Sequence, residues 1–312
     1  MKRLSLSGAL VLVAALILAC GGGSAPAQPT AGPAPALRVA TVNLLHGFFS
    51  ETDAETLTER LGLVARALRE QEVDIVGVQE ASITSYGGDV AAELARMLNF
   101  EHVYQRSNPN LLSFTTEENE QLVRNIDFEE GVAVLSRFPI SESESIDLPR
   151  VSDTENRIGL RATLATPWGP LDVYVTHLTN SGDATKNAAQ AQALADWIAS
   201  RPRELPAVLM GDFNAEEGSA TIDLLTERFV DVFRAFDPGG PGHTCCQDAV
   251  TDAQPAEERK RIDYLFLVPA EAFAGQAAEA RVFLDEPFEL ADGSALWASD
   301  HFGVVAALRL FP

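Results

Sequence analysis

The stretch from Ala207 to Asn214 reads AVLMGDFN, in which an apolar, β-prone run is followed by a carboxylate and an amide. Asp212 comes directly after the predicted strand. Asn214 lies two residues further on, so both side chains point to the same side if the chain stays extended. An Asx-type turn that closes a strand uses the same residue types. This stretch alone therefore leaves a structural and a chemical interpretation open.

The same pattern of a strand-forming run joined to polar side chains recurs elsewhere along the chain. The segments are ATVNLLHG with Asn43, GVQEAS with Glu80, VTHL with His177, RIDYLF with Asp263, and ASDHFGV with Asp300 and His301. Most of these side chains follow or lie inside an apolar run, so each is predicted to project from a strand end. Oxygen ligands, two histidines and a carboxylate near one of them are what metal-assisted attack on phosphorus requires.

Each of these residue types has a defined use in such chemistry. Glu80 is the first candidate for a Mg²⁺ ligand, because Mg²⁺ is usually held by one or two carboxylates and keeps several waters. Taken alone, Glu80 would be interpreted as a solvated loop residue. A histidine is a natural general acid or base near neutral pH, and Asp263 is by type a suitable carboxylate to orient His301. His177 is a candidate donor to a pentavalent phosphoryl group.

The hydrophobic periodicity predicts more strands than helices. Apolar residues recur at helical spacing over 56–68, and Val73–Val78 (VDIVGV) is a continuous apolar run typical of a buried strand that leads into Glu80. Further helices are predicted at 90–98, 187–198 and 221–228, and further strands at 37–45, 131–138, 157–166, 171–177, 207–211, 262–268 and 302–310. The acidic stretch 101–128 is interpreted as a surface insertion with one strand at its start. This order predicts an α/β (α+β) fold with a two-layer β core and helices outside.

Residues 1–19 are predicted to be a lipoprotein signal peptide. Lys2 and Arg3 form a basic start, and the apolar stretch from Leu10 to Ala19 is too short to span a bilayer comfortably. The tetrapeptide ILAC that ends at Cys20 resembles a bacterial lipobox, which implies that Cys20 is lipidated. An ordinary secretory signal with a chance cysteine is the alternative.

The mature chain is predicted to consist of a tether and one domain. Residues 20–36 hold the lipidated cysteine and a stretch rich in Pro, Ala and Gly, which is typical of a flexible linker. Residues 37–312 have the length of one large α/β domain. The protein is therefore expected to be exported and anchored to a bacterial membrane, facing the periplasm or the exterior.

The composition disfavours some partners. The formal net charge of −22 repels polyanions at long range and argues mildly against tight, unspecific binding of nucleic acid. Apart from Cys20, the only cysteines are the adjacent pair Cys245 and Cys246. They are expected to form either a vicinal disulfide or two free thiols with a local role in the loop, and metal binding by this pair is not expected.

The order VN, QE, THL, GDFN, RIDY, SDH resembles the endonuclease/exonuclease/phosphatase superfamily, which includes DNase I-like enzymes and neutral sphingomyelinases. The resemblance runs from about Arg38 to Leu310 and also covers GVAVLSRFPI (Gly131–Ile140) and Arg161. It implies the four-layer α/β/β/α sandwich of DNase I-like proteins. It also implies a magnesium-dependent hydrolase of phosphoric esters, with Mn²⁺ or Ca²⁺ as alternative ions.

The resemblance assigns roles to the conserved residue types of its motifs. It implies that Asn43 and Glu80 bind the metal or order its waters, and that Asp300 is a further metal or water contact. Asp212 would orient or activate the attacking water, while Asn214 holds the scissile phosphate. The remaining assignments are His301 as general base or acid, Asp263 as its steering carboxylate, and His177 as the group that stabilises the transition state.

The substrate is less defined than the chemistry. The SDHFGV and THL segments, with Gln190 and Gln192 in the helix that follows, resemble the sphingomyelinase-type branch, so a phosphodiesterase acting on a phospholipid or sphingolipid headgroup is expected. The apolar residues Phe288, Leu290, Leu296 and Trp297 would either contact a lipid or pack beneath the last strand. An extracellular nuclease, an inositol-phosphate phosphatase and a non-catalytic surface binding protein are the alternatives. The protein is expected to be a monomer.

Overall fold

The computed structural model describes most of the predicted domain. The described residues are 36–46, 51–85, 87–107, 128–150, 155–257, 259–271 and 274–311. The predicted signal peptide, Cys20 and nearly all of the tether lie outside these ranges, as does most of the predicted acidic insertion after residue 107.

The described residues form fifteen strands and five helices. The strands are β1 (Leu37–Asn43), β2 (Ile75–Thr84), β3 (Gly88–Asp89), β4 (Glu101–Ser107), β5 (Phe128–Ser136), β6 (Ile140–Asp147), β7 (Ile158–Thr166), β8 (Gly169–His177), β9 (Ala207–Asp212), β10 (Val230–Asp231), β11 (Asp263–Val268), β12 (Ala274–Phe283), β13 (Phe288–Glu289), β14 (Ala295–Leu296) and β15 (Gly303–Phe311). The helices are α1 (Glu51–Glu70), α2 (Val90–Leu98), α3 (Ala184–Ala199), α4 (Ala220–Thr226) and α5 (Val232–Phe236).

Two mixed sheets hold most of the strands. The first has the order β12-β15-β1-β2-β5-β4, with β3 paired to β2, and the second has the order β10-β11-β9-β8-β7-β6. In each sheet one central pair is parallel, β1 with β2 in the first and β8 with β9 in the second. The other pairings in both sheets are antiparallel.

Alternation along the strands gives each sheet two apolar faces. In β1, Val39 packs between the two sheets, whereas Val42 packs outward against the layer of α1 and α2. In β9, Met210 faces the other sheet and Leu209 faces the layer of α3 and α4. Because both faces of each sheet are covered at its centre, the central strands are nearly continuous apolar runs. The layers are helix, sheet, sheet and helix, which confirms the four-layer α/β/β/α sandwich.

The helices begin and end at residues suited to those positions. The Asp183 side chain accepts hydrogen bonds from the backbone N–H groups of Thr185 and Lys186 at the start of α3. Ser219 caps α4 in the same way. Helix α2 is capped by Asp89 at its N-terminus and by Asn99 at its C-terminus. Asn99 adopts the left-handed conformation with φ 58°. These caps fix where α3 and α4 begin, and both N-termini border the candidate site described below.

The predicted elements differ from the observed ones mainly at their ends. Helix α1 starts five residues earlier than the pattern of apolar residues indicates, and α3 starts three residues earlier. Strands β6 and β12 were not predicted; β6 is mostly polar, and β12 is largely half-buried, so neither has a strong apolar pattern. Within the described ranges, the structure contains no helix that is both long and apolar enough to cross a membrane.

Gly77 on β2 allows the two sheets to approach closely beneath the site. A Cβ atom at this position would overlap the side chain of Met210 and lie 3.0 Å from Cγ2 of Val175, both on the second sheet. We expect Gly77→Val to lower the free energy of unfolding by about 1–3 kcal/mol, because overpacking forces the sheets apart. Urea denaturation measures this change.

Gly62→Ala is the matched control. Gly62 lies on the exposed side of α1 with no atom within 4 Å of an added Cβ, so alanine there is expected to raise stability by up to about 1 kcal/mol through helix propensity. A Gly77→Val protein as stable as the wild type would contradict the close packing of the sheets at this point.

Candidate active site

The polar residues of the motifs meet at one edge of the two stacked sheets. Asn43 is the last residue of β1, and in the second sheet His177 and Asp212 end the parallel strands β8 and β9 and pair with each other. Asp263 starts the antiparallel strand β11 opposite Asp212. The carboxyl ends of parallel strands lie at the same edge of a sheet, which is the common position for sites in α/β proteins.

Glu80 reaches this edge from inside a strand, which corrects its predicted place at a strand end. Between Val78 and Ala81, β2 has two residues opposite one on β5, and Glu80 adopts a left-handed backbone with φ 51°. Such a bulge turns one side chain away from the normal alternation. As a result, Gln79 accepts a hydrogen bond from Thr41 at 3.1 Å, while Glu80 contacts Asn43.

Asn43 joins the two sheets. Its Nδ2 donates to Oε1 of Glu80 at 3.1 Å and to Oδ2 of Asp212 at 3.2 Å, and its Oδ1 accepts the backbone N–H of Leu45 at 3.0 Å. In this orientation the amide holds two carboxylates in place through its nitrogen. Ligation of a metal by its oxygen remains a prediction.

Asn214 and His177 form the second side of the site. Oδ1 of Asp212 accepts the backbone N–H of Asn214 at 2.8 Å, and Asn214 has a left-handed backbone with φ 48°. Nδ2 of Asn214 donates to the carbonyl of Leu178 at 3.0 Å and lies 3.1 Å from Nε2 of His177. The Asn214 turn therefore does both things considered for this motif: it closes the strand and it brings an amide into the site.

His301 is oriented by Asp263. Its Nδ1 lies 3.0 Å from Oδ2 of Asp263, and its Nε2 lies 3.8 Å from Oδ2 of Asp212. A carboxylate accepts hydrogen bonds, so Nδ1 carries a proton and Nε2 faces Asp212. This is the spatial relation that an orienting carboxylate needs in order to fix a catalytic imidazole.

The pKa values of His301 and His177 are shifted in opposite directions. Burial alone would lower the pKa of His301, but the negative charges of Asp263 and Asp212 raise it well above its usual value. Burial and the positive charge of Arg157 lower the pKa of His177 well below its usual value. At neutral pH one ring is charged and the other is neutral, so one can give up a proton while the other acts as a neutral hydrogen-bonding group.

The carboxylates also differ in charge state. Burial and the nearby charge of Asp263 raise the pKa of Asp212 to about 7. Burial raises the pKa of Glu80, but the positive charges of His46 and His301 and the hydrogen bond from Asn43 outweigh burial and lower that pKa to about 2. Glu80 is therefore ionised at neutral pH, and Asp212 is suited to accept a proton there.

The donor set fits a hard divalent cation. Glu80 is ionised and its side chain is 16% exposed, while Asp212 and Asp263 are only 1% exposed. Burial raises the pKa of Asp300, the charge of His301 lowers it, and the negative charge of Glu80 raises it further. Mg²⁺ keeps several waters and needs such a partly open position.

Asp212, Asp263 and His301 are a second possible place for a cation, since their ligand atoms lie within 4.8 Å of one another. We favour Glu80 with Asp300, because Oδ2 of Asp263 and Nδ1 of His301 are already joined by a hydrogen bond, which leaves Oδ1 of Asp263 and Nε2 of His301 as the atoms open to an ion. The burial of Asp212 and Asp263 also leaves little room for a hydrated ion.

Two buried arginines at the site were not predicted as functional. Arg157 donates through Nε to Glu155 at 2.7 Å, and its buried Nη1 has no hydrogen-bond partner among the described residues. Arg60 on α1 donates to the carbonyls of Leu44 at 2.7 Å, Leu45 at 2.9 Å and Ala298 at 3.2 Å, and so ties the segment after Asn43 to the segment before Asp300. The available signal was an arginine on the apolar face of a predicted helix, three residues after Leu57.

A cavity of about 550 Å³ opens beside Asn214 and His301. Its wall includes the N-terminal ends of α3 and α4, Lys260 and the disulfide-bonded pair Cys245 and Cys246. Of the two states considered for these cysteines, the structure shows the disulfide. Most of the other lining side chains are polar, and none is aromatic: Thr179, Asn180, Asp183, Asn187, Glu216, Ser219 and Thr221.

Comparison with known proteins gives the chain its family. An uncharacterized protein of Escherichia coli (strain K12), YbhP, is 27% identical over 210 residues, which cover 66% of this chain and 78% of YbhP. An endonuclease/exonuclease/phosphatase from Beutenbergia cavernae superimposes with a TM-score of 0.64 at 23% identity, covering 88% of this chain and 72% of that one.

A mannosyl-6-phosphatase from Bacteroides thetaiotaomicron superimposes with a TM-score of 0.64 at 19% identity, over 87% of this chain and 99% of that one. TDP2 of D. rerio, complexed with a single-strand DNA product, gives 0.65 at 17% identity, over 88% and 98%. At these identities the likeness shows the fold. The model of the Endonuclease/Exonuclease/phosphatase family matches residues 40–301. The chain therefore belongs to the Endonuclease/Exonuclease/phosphatase family, whose members are generally phosphoester hydrolases that use a divalent metal.

Proposed function

We propose that this protein is a divalent-metal-dependent hydrolase of phosphoric esters, most simply a phosphodiesterase, displayed outside the cytoplasm. The observation that carries the proposal is the convergence of polar atoms on Oδ2 of Asp212. Nδ2 of Asn43 lies 3.2 Å from it, Nε2 of His177 lies 3.4 Å from it, and Nε2 of His301 lies 3.8 Å from it. A buried carboxylate with a purely structural role does not require two histidines and a second ionised carboxylate, here Glu80, around it.

Asp212 is the proposed proton acceptor for the attacking water. Its pKa of about 7 suits a general base at neutral pH. The backbone N–H of Asn214 and the amide of Asn43 hold its two oxygens from opposite sides, at 2.8 Å and 3.2 Å. This fixes the direction in which the free lone pairs point, which is the orientation that a base needs in order to act on one water.

Nε2 of His301 and Oδ2 of Asp212 are 3.8 Å apart, so we assign both groups to the same side of the phosphorus. In-line displacement places the attacking and leaving oxygens on opposite sides, so these two groups serve the attacking side. Charged His301 donates to the water or to a phosphoryl oxygen. A divalent cation held by Glu80 and Asp300 would supply charge neutralisation at the phosphoryl and leaving oxygens. The leaving alkoxide takes its proton from solvent.

Donors for the remaining phosphoryl oxygens come from the second sheet. The groups assigned to this role are Nδ2 of Asn214 and the neutral ring of His177, whose Nε2 lies 3.1 Å from that Nδ2 and 3.4 Å from Oδ2 of Asp212. Arg157 adds a positive charge close to His177, and its Nη1 is buried without a partner among the described residues. We propose that these groups stabilise the negative charge that develops in the transition state.

The cavity beside the site favours a compact polar alcohol as one part of the ester. Its lining combines hydroxyl, amide and carboxyl groups, and among the described residues it contains no Phe, Tyr or Trp side chain to hold a choline cation. Leu296 and Trp297 are at most 1% exposed, so they pack in the core and offer no surface to an acyl chain. Among the lipid headgroups expected from the sequence, a glycerol-, sugar- or inositol-like headgroup therefore fits better than a choline.

An extracellular nuclease is the second candidate, and the charges disfavour it. Several arginines around the second sheet are paired with carboxylates, such as Arg161 with Asp172 at 2.9 Å and Arg261 with Asp231 at 2.6 Å. Among the described residues that line the cavity, Lys260 and His301 are the basic ones. A non-catalytic surface binding protein is disfavoured because every residue type of the motifs is present at the site.

The first prediction of the proposal is metal-dependent turnover. The full-length protein with Mg²⁺ is expected to hydrolyse bis(p-nitrophenyl) phosphate, and EDTA should abolish this activity. Asp212→Asn should lower kcat by roughly 10² to 10⁴, because it removes the general base at nearly constant shape. Asp196→Asn, on the exposed side of α3, is the matched control and should turn over like the wild type.

The natural substrate class is measured in the same assay with a panel of phosphatidylglycerol, phosphatidylinositol, sphingomyelin, a sugar phosphate and plasmid DNA. Faster cleavage of the polyol esters is the expected result. Preferred cleavage of DNA would establish the nuclease instead, and Asp212→Asn turning over like the wild type would refute the site assignment.

Cation binding is expected to depend on Glu80. Glu80→Gln should weaken Mn²⁺ or Mg²⁺ binding by roughly tenfold or more, because a carboxylate ligand is replaced by a neutral amide. Isothermal titration of the full-length protein measures the change. Glu93→Gln on α2, where Glu93 pairs only with exposed Arg96, should bind like the wild type. Equal affinities for all three proteins would place the cation away from Glu80.

Export and anchoring through Cys20 are also part of the proposal, supported by the lipobox-like segment alone. Cys20→Ala should move the protein from the membrane fraction to the soluble fraction of a bacterial lysate, because the acylated residue is lost. Immunoblots of the two fractions measure this. Unchanged membrane association of Cys20→Ala would show that the chain is not held by a lipid on Cys20.

A further inference from the structure

The Thr244–Gln247 segment runs between the two residues of the Asp263–His301 pair. Cys245 forms one antiparallel bridge to Lys260, before β11, and another to His301, before β15. The segment thus pairs with both of the chain segments that carry the pair. From the sequence alone, Cys245 and Cys246 in this segment are expected to have only a local role in the loop.

Thr244 contacts Asp263 directly through its side chain. Its Oγ1 accepts the backbone N–H of Ile262 at 3.1 Å and the backbone N–H of Asp263 at 3.0 Å. Thr244 is fully buried. Removal of the hydroxyl would take away the acceptor of these two N–H groups, and a buried N–H group without a partner is costly.

The backbone of the same segment holds the other partner. The carbonyl of Thr244 accepts the N–H of Phe302 at 2.6 Å, and the N–H of Gln247 donates to the carbonyl of Asp300 at 2.8 Å. These two bonds bracket His301 on both sides along the chain. The Thr244–Gln247 segment therefore holds the backbone at both Asp263 and His301 in position.

The disulfide between Cys245 and Cys246 lies inside this segment and in the wall of the cavity beside His301. The backbone N–H of Lys260 donates to the carbonyl of Cys245 at 2.8 Å, and the N–H of Thr244 donates to the carbonyl of Lys260 at 2.7 Å. A covalent link between neighbouring residues restricts the backbone at the point where the segment turns from Asp263 to His301.

We propose that Thr244 is a positioning residue for the Asp263–His301 pair, and that the Cys245–Cys246 disulfide keeps its segment in place. This inference rests on the proposed hydrolase function for its kinetic consequence. A displacement of about 1 Å in a catalytic group lowers turnover by up to roughly 10². Loss of the Thr244 hydroxyl acts on turnover through Asp263 and His301, whereas Asn214 and His177 are held by other partners.

The kinetic test compares isosteric variants of the full-length protein. Thr244→Val, which keeps the shape and loses the oxygen, is expected to lower kcat on bis(p-nitrophenyl) phosphate by roughly 10- to 100-fold with KM changed less than threefold. Thr244→Ser restores the oxygen and is expected to recover most of kcat. Thr226→Val is the control, because Thr226 on α4 donates only to helix carbonyls. Wild-type kcat in Thr244→Val, or a loss that Thr244→Ser does not recover, would overturn the proposal.

NMR spectroscopy monitors the hydrogen bond between Asp263 and His301 without requiring turnover. The Nδ1–H of His301, hydrogen-bonded to Asp263 at 3.0 Å, is expected to give a downfield proton resonance, identified by its loss in Asp263→Asn. It should shift or broaden in Thr244→Val and remain in Thr244→Ser and Thr226→Val. An unchanged resonance in a folded Thr244→Val protein would overturn the positioning role. If no substrate is hydrolysed by the wild type, the resonance still decides this inference, while the proposed function fails separately.

The disulfide is tested with a dithiol. Dithiothreitol gives two electrons and two protons to the Cys245–Cys246 bond, which yields two thiols and the cyclic oxidised reductant. Treated wild type and Cys20→Ser are both expected to lose several-fold in kcat and to show the same change in the His301 resonance. The variant carrying Cys245→Ser and Cys246→Ser should start at the lower value and not respond. Wild-type kcat and resonance after complete reduction would overturn the part assigned to the disulfide.

Discussion

A hydrogen bond from Nδ2 of Asn43 to Oδ2 of Asp212, 3.2 Å long and spanning 169 residues of sequence, joins strand ends that belong to different sheets. Neither sheet alone contains the site. It forms only when the two apolar faces stack, and Val39, Val173 and Met210 lie in the core between them. Gly77 lets the sheets come close at this point. The geometry of the site is therefore a consequence of core packing. Substitutions that alter this packing are expected to change turnover even where no catalytic residue is replaced.

Burial strengthens the electrostatic interactions between the charged groups of the site. Water is largely excluded around Asp212, so its pKa rises to about 7, while the charges of His46 and His301 and the hydrogen bond from Asn43 hold Glu80 in its ionised form with a pKa of about 2. Buried charges cost free energy unless they are paired. The chain meets part of this cost with amide and backbone donors at Asp212 and part with the histidines. A divalent cation at Glu80 would offset the remaining excess of negative charge.

The sequence was sufficient to locate most of the strands and to predict the family and the four-layer sandwich, because apolar runs that end in polar motifs are visible locally. The bulge at Glu80 was not predicted, since its two-against-one pairing depends on β5. Arg60, Arg157 and Thr244 were missed for a related reason. Each acts through backbone carbonyls, a neighbouring charge or backbone N–H groups contributed by distant segments, and no local pattern encodes those contacts.

The most direct test of this account is the position of a bound divalent ion, determined from the anomalous scattering of Mn²⁺ in crystals of the protein. The account places the ion at the carboxylate of Glu80, on the side of Asp300, with the hydrogen bond between Asp263 and His301 intact. An ion held between Asp212, Asp263 and His301, with that hydrogen bond broken, would contradict it. In that case Asp212 would be a metal ligand and would no longer be available as the base.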